Sequence, residues 1–339
     1  MSPSILLDDA DLTLLIGAQW ERSTNASSAH NRSTTTCAAQ LNGKGIKYTK
    51  NPRLTINLPS LNAVTFVGTG TNDLRVNYSF KSDDSDLRQA DLSPQKDLVG
   101  KTGVELWTIN NAESSRLAVY PDFGNFTLDY VLITPDKSEG FSGNVMMMDD
   151  RDTAIKYDSQ WTPNEKQQLP RAVPMKGSLT KAVNTGAKFD VQFTGSNIAV
   201  YGVLNSAAGK LSSSYAIDKG SPTTMTHFDG TQTVNKDEWK AGQMLFKQNV
   251  SPGTHTLTMT LNEVTGNQSF YLDYITFLGI EQTQLNATTA AAKKPSTIGG
   301  IVGGAIAILI LLGCCGAWGR KKYYVASRPV VYVKETIVY

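Results

Sequence analysis

Cysteine is nearly absent: the 339 residues hold three, Cys37, Cys314 and Cys315. A disulfide framework is therefore excluded, and any folded part of the chain holds by burial alone. Histidine is as scarce, and His30, His227 and His255 stand in no metal-ligand spacing. Charged residues make up 18% with a formal net charge of +2, which leaves no electrostatic footprint for nucleic acid. Phosphate loops, dinucleotide fingerprints and Ser-based nucleophile elbows are missing, so no cofactor and no catalytic residue is expected. Ahead of residue 298 no helix-period run of useful length occurs. The abundance of Ser, Thr, Asn and Gly favours strands and turns instead.

One long apolar run is present. From Ile298 to Trp318 no charge occurs, and at about 1.5 Å per residue this length crosses a hydrocarbon core of roughly 30 Å. The sequence predicts a single transmembrane helix over 298–318, followed by a short tail, 319–339. Arg320, Lys321, Lys322, Arg328 and Lys334 follow the helix, against Lys293 and Lys294 before it. The positive-inside rule then puts the tail in the cytoplasm and the N-terminal part outside, at the plasma membrane. Gly299, Gly300, Gly303 and Gly304 form two overlapping small-residue patterns, candidates for a helix homodimer. Cys314 and Cys315, near the inner boundary, are candidates for palmitoylation. The opening MSPSILLDDADLTLLIGAQW lacks the basic start of a secretory signal, and Asp8, Asp9 and Asp11 interrupt it. Two explanations stay open: a first segment missing from this sequence, or a tail-anchored protein with its large part in the cytosol. Glycosylation sequons at Asn25, Asn31, Asn77, Asn125, Asn249, Asn267 and Asn286 all precede the helix and favour the outside placement.

The rest of the chain repeats itself. Leu7–Trp20 (LDDADLTLLIGAQW) aligns without a gap to Met148–Trp161 (MDDRDTAIKYDSQW), matching Asp8, Asp9, Asp11 and Trp20 with Asp149, Asp150, Asp152 and Trp161. Phe126–Val131 (FTLDYV) matches Phe270–Ile275 (FYLDYI), and Phe66-Val67-Gly68 is paired with Phe193-Thr194-Gly195. The repeat units are about 140 residues long. In the second, alternating apolar residues predict strands at Lys188–Phe193, Asn197–Leu204, Lys210–Ile217, Thr223–His227, Gln243–Lys247, His255–Leu261 and Ser269–Phe277. Turn residues separate them at Gly195-Ser196, Ala208-Gly209, Asp218-Lys219-Gly220 and Pro252-Gly253. The expected architecture is all-β: two tandem antiparallel β-sandwiches of the jelly-roll kind, over 1–138 and 139–281. A Thr/Ala-rich stalk, 282–297, then leads to the helix.

The acidic-then-Trp opening, the F-x-G-x-x-I-x-V-Y-G run of Phe193–Gly202, the hairpin YAIDKG of Tyr215–Gly220 and the closing LDYI of Leu272–Ile275 together resemble galactose-binding-like, carbohydrate-binding-module-like jelly rolls. More narrowly, they resemble fungal single-pass membrane proteins that carry two such modules. The resemblance covers most of the chain and its motifs are structural, so it speaks to fold more than to ligand.

Two groups of residues stand out as candidate sites. Asp149, Asp150 and Asp152 are weak candidates for a hard-cation site, against hydrogen bonding to turn backbone. Trp239, in the polar run NKDEWKAG, is a candidate sugar platform, against a ring folded over the sheet edge. Trp20 and Trp161 read as core anchors, and Asp129-Tyr130 and Asp273-Tyr274 as residues that pin the fold. The leading expectation is a cell-surface protein whose modules bind a glycan or another surface protein without catalysis. A glycosylated spacer that dimerises through its helix is the alternative, and a carboxylate-dependent hydrolase comes third.

Overall fold

The computed structural model describes residues 3–8, 20–23, 34–38, 54–57, 63–81, 83–92, 96–110, 116–135, 142–165 and 169–280. All belong to one compact unit, Met1–Ala290. The expected stalk, transmembrane helix and tail lie outside the described residues, and with them Gly299, Gly300, Gly303, Gly304, Cys314, Cys315, Asn25, Asn31, Asn286, Asp9, Asp11 and His30. Among the described residues no helix is long and apolar enough to cross a membrane.

The first half contributes β1 (Ser4–Asp8), β2 (Trp20–Ser23), β3 (Thr34–Ala38), β4 (Leu54–Asn57), β5 (Ala63–Thr69), β6 (Arg75–Ser79), β7 (Arg88–Asp91), β8 (Val104–Asn110), β9 (Arg116–Phe123) and β10 (Asn125–Thr134). The second contributes β11 (Val145–Asp149), β12 (Ile155–Tyr157), β13 (Trp161–Glu165), β14 (Leu179–Ala182), β15 (Lys188–Ser206), β16 (Lys210–Ile217), β17 (Thr223–Asp229), β18 (Asn235–Val264) and β19 (Phe270–Gly279). All strand pairings between them are antiparallel, and alternate side chains enter a shared apolar core.

Strand register confirms the duplication. Asp8 faces Tyr130 across β1 and β10, and Asp149 faces Tyr274 across β11 and β19. Trp20, Cys37 and Phe126 lie side by side on β2, β3 and β10, as Trp161, Ala182 and Phe270 do on β13, β14 and β19. The third expected match needs correcting. Leu128 is paired with Gly68 and Leu272 with Gly202, so Phe66-Val67-Gly68 corresponds to Val200-Tyr201-Gly202 and not to Phe193-Thr194-Gly195. The physical reason is close approach. A Cβ on Gly68 would overlap the Thr127 carbonyl oxygen, and one on Gly202 the Tyr271 carbonyl oxygen. Each Gly sits beside a bulge whose extra residue is Asp129 in one half and Asp273 in the other.

Two expected turns are bends inside strands. β15 pairs with β12 and the last part of β18 up to Gly195, then with β19 and the first part of β18 from Asn197 onward. The register shift between Gly195 and Asn197 lets one strand pass from one sheet to the other. Pro252-Gly253 lies within β18 at the same corner, and its backbone stays extended. Asp218-Lys219 does form a turn: both residues have positive φ, 51° and 60°, and Gly220 N–H donates to Ile217 O at 2.8 Å. Asp218 fits there because its carboxylate accepts from Thr256 N–H at 2.8 Å and lies 2.6 Å from His255 Nδ1.

The halves meet along β1 and β11, where Ser4 pairs with Met147 and Ile5 with Met146. The boundary expected near residue 138 therefore separates sequence repeats that share a sheet. A second apolar cluster takes residues from both, including Leu6, Tyr130, Met147, Met175 and Tyr274.

Candidate functional site

The second copy's aspartates are held by local hydrogen bonds. Asp150, fully buried, accepts from Ser178 Oγ at 2.8 Å and Thr180 Oγ1 at 2.7 Å. Asp149 accepts from Arg151 Nε at 3.0 Å, and Asp152 from Ala154 N–H at 2.9 Å. Arg151 lies between Asp149 and Asp150, with Nε also 4.0 Å from Asp150 Oδ1. Among the described residues no group of three His, Cys, Asp or Glu is placed to hold a metal. Asp149, Asp150 and Asp152 each take part in local hydrogen bonds of the kind expected of turn aspartates. Burial raises the Asp150 carboxyl to about 6, partly offset by the Thr180 hydroxyl, and pushes Asp149 up as well. Asp273, wholly enclosed, is raised by the same cause although Met175 N–H donates to it at 2.8 Å. That bond bears out Asp273 as a residue that pins the fold.

Trp161 is a core anchor as expected. Its ring packs on Phe189 and Phe270, and Nε1–H donates to Lys188 O at 2.9 Å. Of the candidate glycan acceptors, Asn77 on β6 is only 3% exposed, whereas Asn125, Asn249 and Asn267 are exposed.

One polar network has no sequence signature. Ser213 Oγ, fully buried, lies 2.8 Å from His227 Nε2 and donates to Tyr215 Oη at 3.0 Å. Burial lowers His227 to about 4, so it stays neutral at pH 7. Ser213 lies on β16 beneath the surface, where the network satisfies buried polar groups and no substrate can reach the hydroxyl.

Trp239 lies elsewhere, on the first arm of β18. A cleft of about 600 Å³ opens beside it, with Leu169–Ala172 as one wall and Asn235, Asp237–Lys240 and Gln243 as the other. The ring is half-buried and meets Tyr271 edge to face at 5.6 Å. Tyr271 is covered in turn by Lys181, whose Nζ lies 5.5 Å from the ring centre. Behind them Leu169, Ala172, Leu179, Val203 and Ala241 form a small apolar cluster that holds the Trp from below. Lys240 is paired with Glu238 at 3.1 Å, and this bond holds the Glu238 carboxyl low. Gln243 Nε2–H donates to Ala241 O at 2.8 Å, which fixes its amide. A ring face with Arg171 on one wall and the amide and charged groups of Asn235, Asp237 and Gln243 on the other can hold a flat, hydroxyl-bearing ligand. The wall at Leu169–Ala172 was not legible in the sequence, since it comes from a non-repeated stretch far from Trp239. Tyr271 was visible only as part of the closing strand.

Fold and cleft together define a β-sandwich protein with an aromatic cleft among its described residues. No protein-family model matches the chain, and no curated protein matches it. Among solved structures it is similar to a two-domain esterase (CEX) active on acetylated mannans, at 12% identity over 44% of this chain and 40% of that one, TM-score 0.33. It is also similar to CBM35 from Cellvibrio japonicus Abf62, at 9% identity over 39% of this chain and 91% of that one, TM-score 0.28. A third is the CBM22-1-CBM22-2 tandem domain from Paenibacillus barcinonensis Xyn10C, at 13% identity over 81% and 97%, TM-score 0.27. The match thus spans about two fifths of the esterase's length.

Proposed function

We propose that this chain is a carbohydrate-binding protein of the cell surface, without catalysis, and that a sugar ring stacks on Trp239. The observation that carries the reading is the half-exposed Trp239 ring, held by Tyr271 on the side of a cleft of about 600 Å³. That volume is in the roughly 300–1,000 Å³ range of small-ligand sites. Asn235, Gln243, Asp237 and Arg171 on the walls supply donors and acceptors for hydroxyls. A hydrolase would need a carboxyl raised toward neutrality as general acid. In this cleft Glu238 is held low by Lys240 instead, which favours binding over hydrolysis.

The test is a glycan array probed with the chain and its Trp239→Ala variant. Trp239→Ala is expected to weaken the bound sugars at least tenfold, or about 1.4 kcal/mol, with little change in unfolding midpoint. Equal binding by both proteins rejects the site. In this proposal residues 298–318 anchor the protein and place the β-sandwiches outside. Expression in eukaryotic cells should then yield an endoglycosidase-sensitive chain, with Asn125 or Asn267 carrying the glycan. A chain insensitive to the enzyme favours the tail-anchored alternative.

A further inference from the structure

We infer that the first half is a positioning part of the Trp239 cleft, so that the two halves make one binding unit; this rests on the carbohydrate reading above. The wall Leu169–Ala172 belongs to the second half but lies in no strand. Its side chains Leu169 and Ala172 are buried in their own half's cluster. Its backbone bonds go to the other half. Thr102 N–H donates to Arg171 O at 3.0 Å, Thr102 Oγ1 donates to the same oxygen at 3.3 Å, and Val173 N–H donates to Thr102 O at 2.8 Å. Together they form a short parallel bridge between Thr102 and Ala172. A little further along, Tyr130 Oη–H of the first half points to Met175 Sδ at 3.1 Å.

The contact is close enough to admit only glycine beside it. Gly103 has φ of +74°, and a Cβ there would run into the Val173 carbonyl oxygen. The wall that carries Arg171 is therefore set against Trp239 by Thr102 and Gly103, residues that line no part of the cleft. Gly103 and Thr102 act through the wall and are positioning residues. They also stand just ahead of β8, where the second half has Trp239 just ahead of the corresponding stretch of β18: Val104 is paired with Gly68 and Gln243 with Gly202. One copy of this segment presents the ring, and the other braces the facing wall.

A nearby glycine supplies the control. Gly100 has φ of +79°, and a Cβ there would meet nothing within 4 Å. Gly100→Ala and Gly103→Ala therefore share the left-handed strain, and only Gly103→Ala disturbs the wall. The full chain, wild type and variants, is titrated with linear β-1,4-linked gluco-, xylo- and manno-hexaoses, and amide hydrogen exchange is followed over residues 169–175. Gly103→Ala is expected to exchange at least tenfold faster at Val173 and to bind at least fivefold more weakly, whereas Gly100→Ala stays within twofold of wild type in both. Thr102→Val keeps the backbone bridge and loses the hydroxyl bond to Arg171 O; it covers the case in which Gly103→Ala does not fold, and is expected to speed Val173 exchange about threefold. If the wild type binds none of these sugars and no glycan on the array while exchange separates the variants, the carbohydrate reading fails and the brace stands. If the wild type binds and Gly103→Ala binds as Gly100→Ala does, the positioning role is overturned and the carbohydrate reading stands. Unchanged exchange in both Gly103→Ala and Thr102→Val overturns the brace itself.

Discussion

The two halves share a strand plan and differ in the segment that, in the second, carries Trp239 beside the cleft. In the second, β15 and β18 run unbroken through both layers; in the first, the described residues on the same paths are β4 and β5, and β8 and β9. What recurs in both is packing geometry. Tyr78 meets Trp107 at 4.7 Å in the first half, and Tyr215 meets Phe246 at 4.3 Å at the corresponding point of the second. The aromatic contact persists although the residue type and ring angle change. The close-approach Gly and the bulged Asp recur outright. The Trp239 arm has no aromatic counterpart, since the first-half segment Lys101–Gly103 is given over to bracing. Shared features between the copies thus mark the fold, and the feature found in only one marks the site.

The sharpest test of this equivalence is to fill both glycines. Gly202→Ala forces a methyl against the Tyr271 carbonyl oxygen and to 2.6 Å from Leu245 Cδ1. Gly68→Ala does the same against Thr127, with Leu106 Cδ1 at 3.0 Å. Overpacking of this kind against backbone is expected to cost about 3 kcal/mol at either site. Chemical denaturation measures it. A loss below about 1 kcal/mol at one position only would show that the glycines are not structural equivalents.

The closing strands, the bulged aspartates and the acidic openings were legible because each copy repeats the residues themselves. Phe66-Val67-Gly68 was matched to Phe193-Thr194-Gly195 because both have Phe and Gly at the same spacing. The true partner, Val200-Tyr201-Gly202, shares only the Gly that close packing requires. The bends at Gly195-Ser196 and Pro252-Gly253 read as turns because Gly and Pro punctuate both turns and bulges, and only cross-strand pairing distinguishes them. Trp239 was visible as a Trp in a polar run. The facing wall was not, because backbone bonds from Thr102 place it, and the one residue type they constrain, Gly103, does not by itself name the segment it packs against.

Acidity offers a gentler way to set the halves apart, because Asp86 in the first and the buried Asp150 in the second respond in opposite directions. In the first half Asp86 accepts from Ser79 Oγ at 2.5 Å and from two backbone N–H groups, and it is held down to about 2, chiefly by the Ser79 hydroxyl. A depressed carboxyl contributes stability that is present above its unfolded value near 3.8 and is lost as pH falls toward about 2. In the second half Asp150 is raised to about 6 by burial. A raised carboxyl binds its proton more tightly in the folded state, so its contribution is complete below 3.8 and is lost as pH rises through about 6. Asp149 and Asp273 act in the same direction. Unfolding midpoints in urea at pH 2.5, 4 and 7 separate the two effects. Asp150→Asn keeps the shape, removes the charge, and is expected to flatten the decline between pH 4 and 7 while leaving the acid limb alone. Asp86→Asn is expected to change only the limb below pH 4. Parallel profiles for wild type and Asp150→Asn would mean that the buried carboxyl titrates as it does in the unfolded chain, and that the second half is no more sensitive to rising pH than the first.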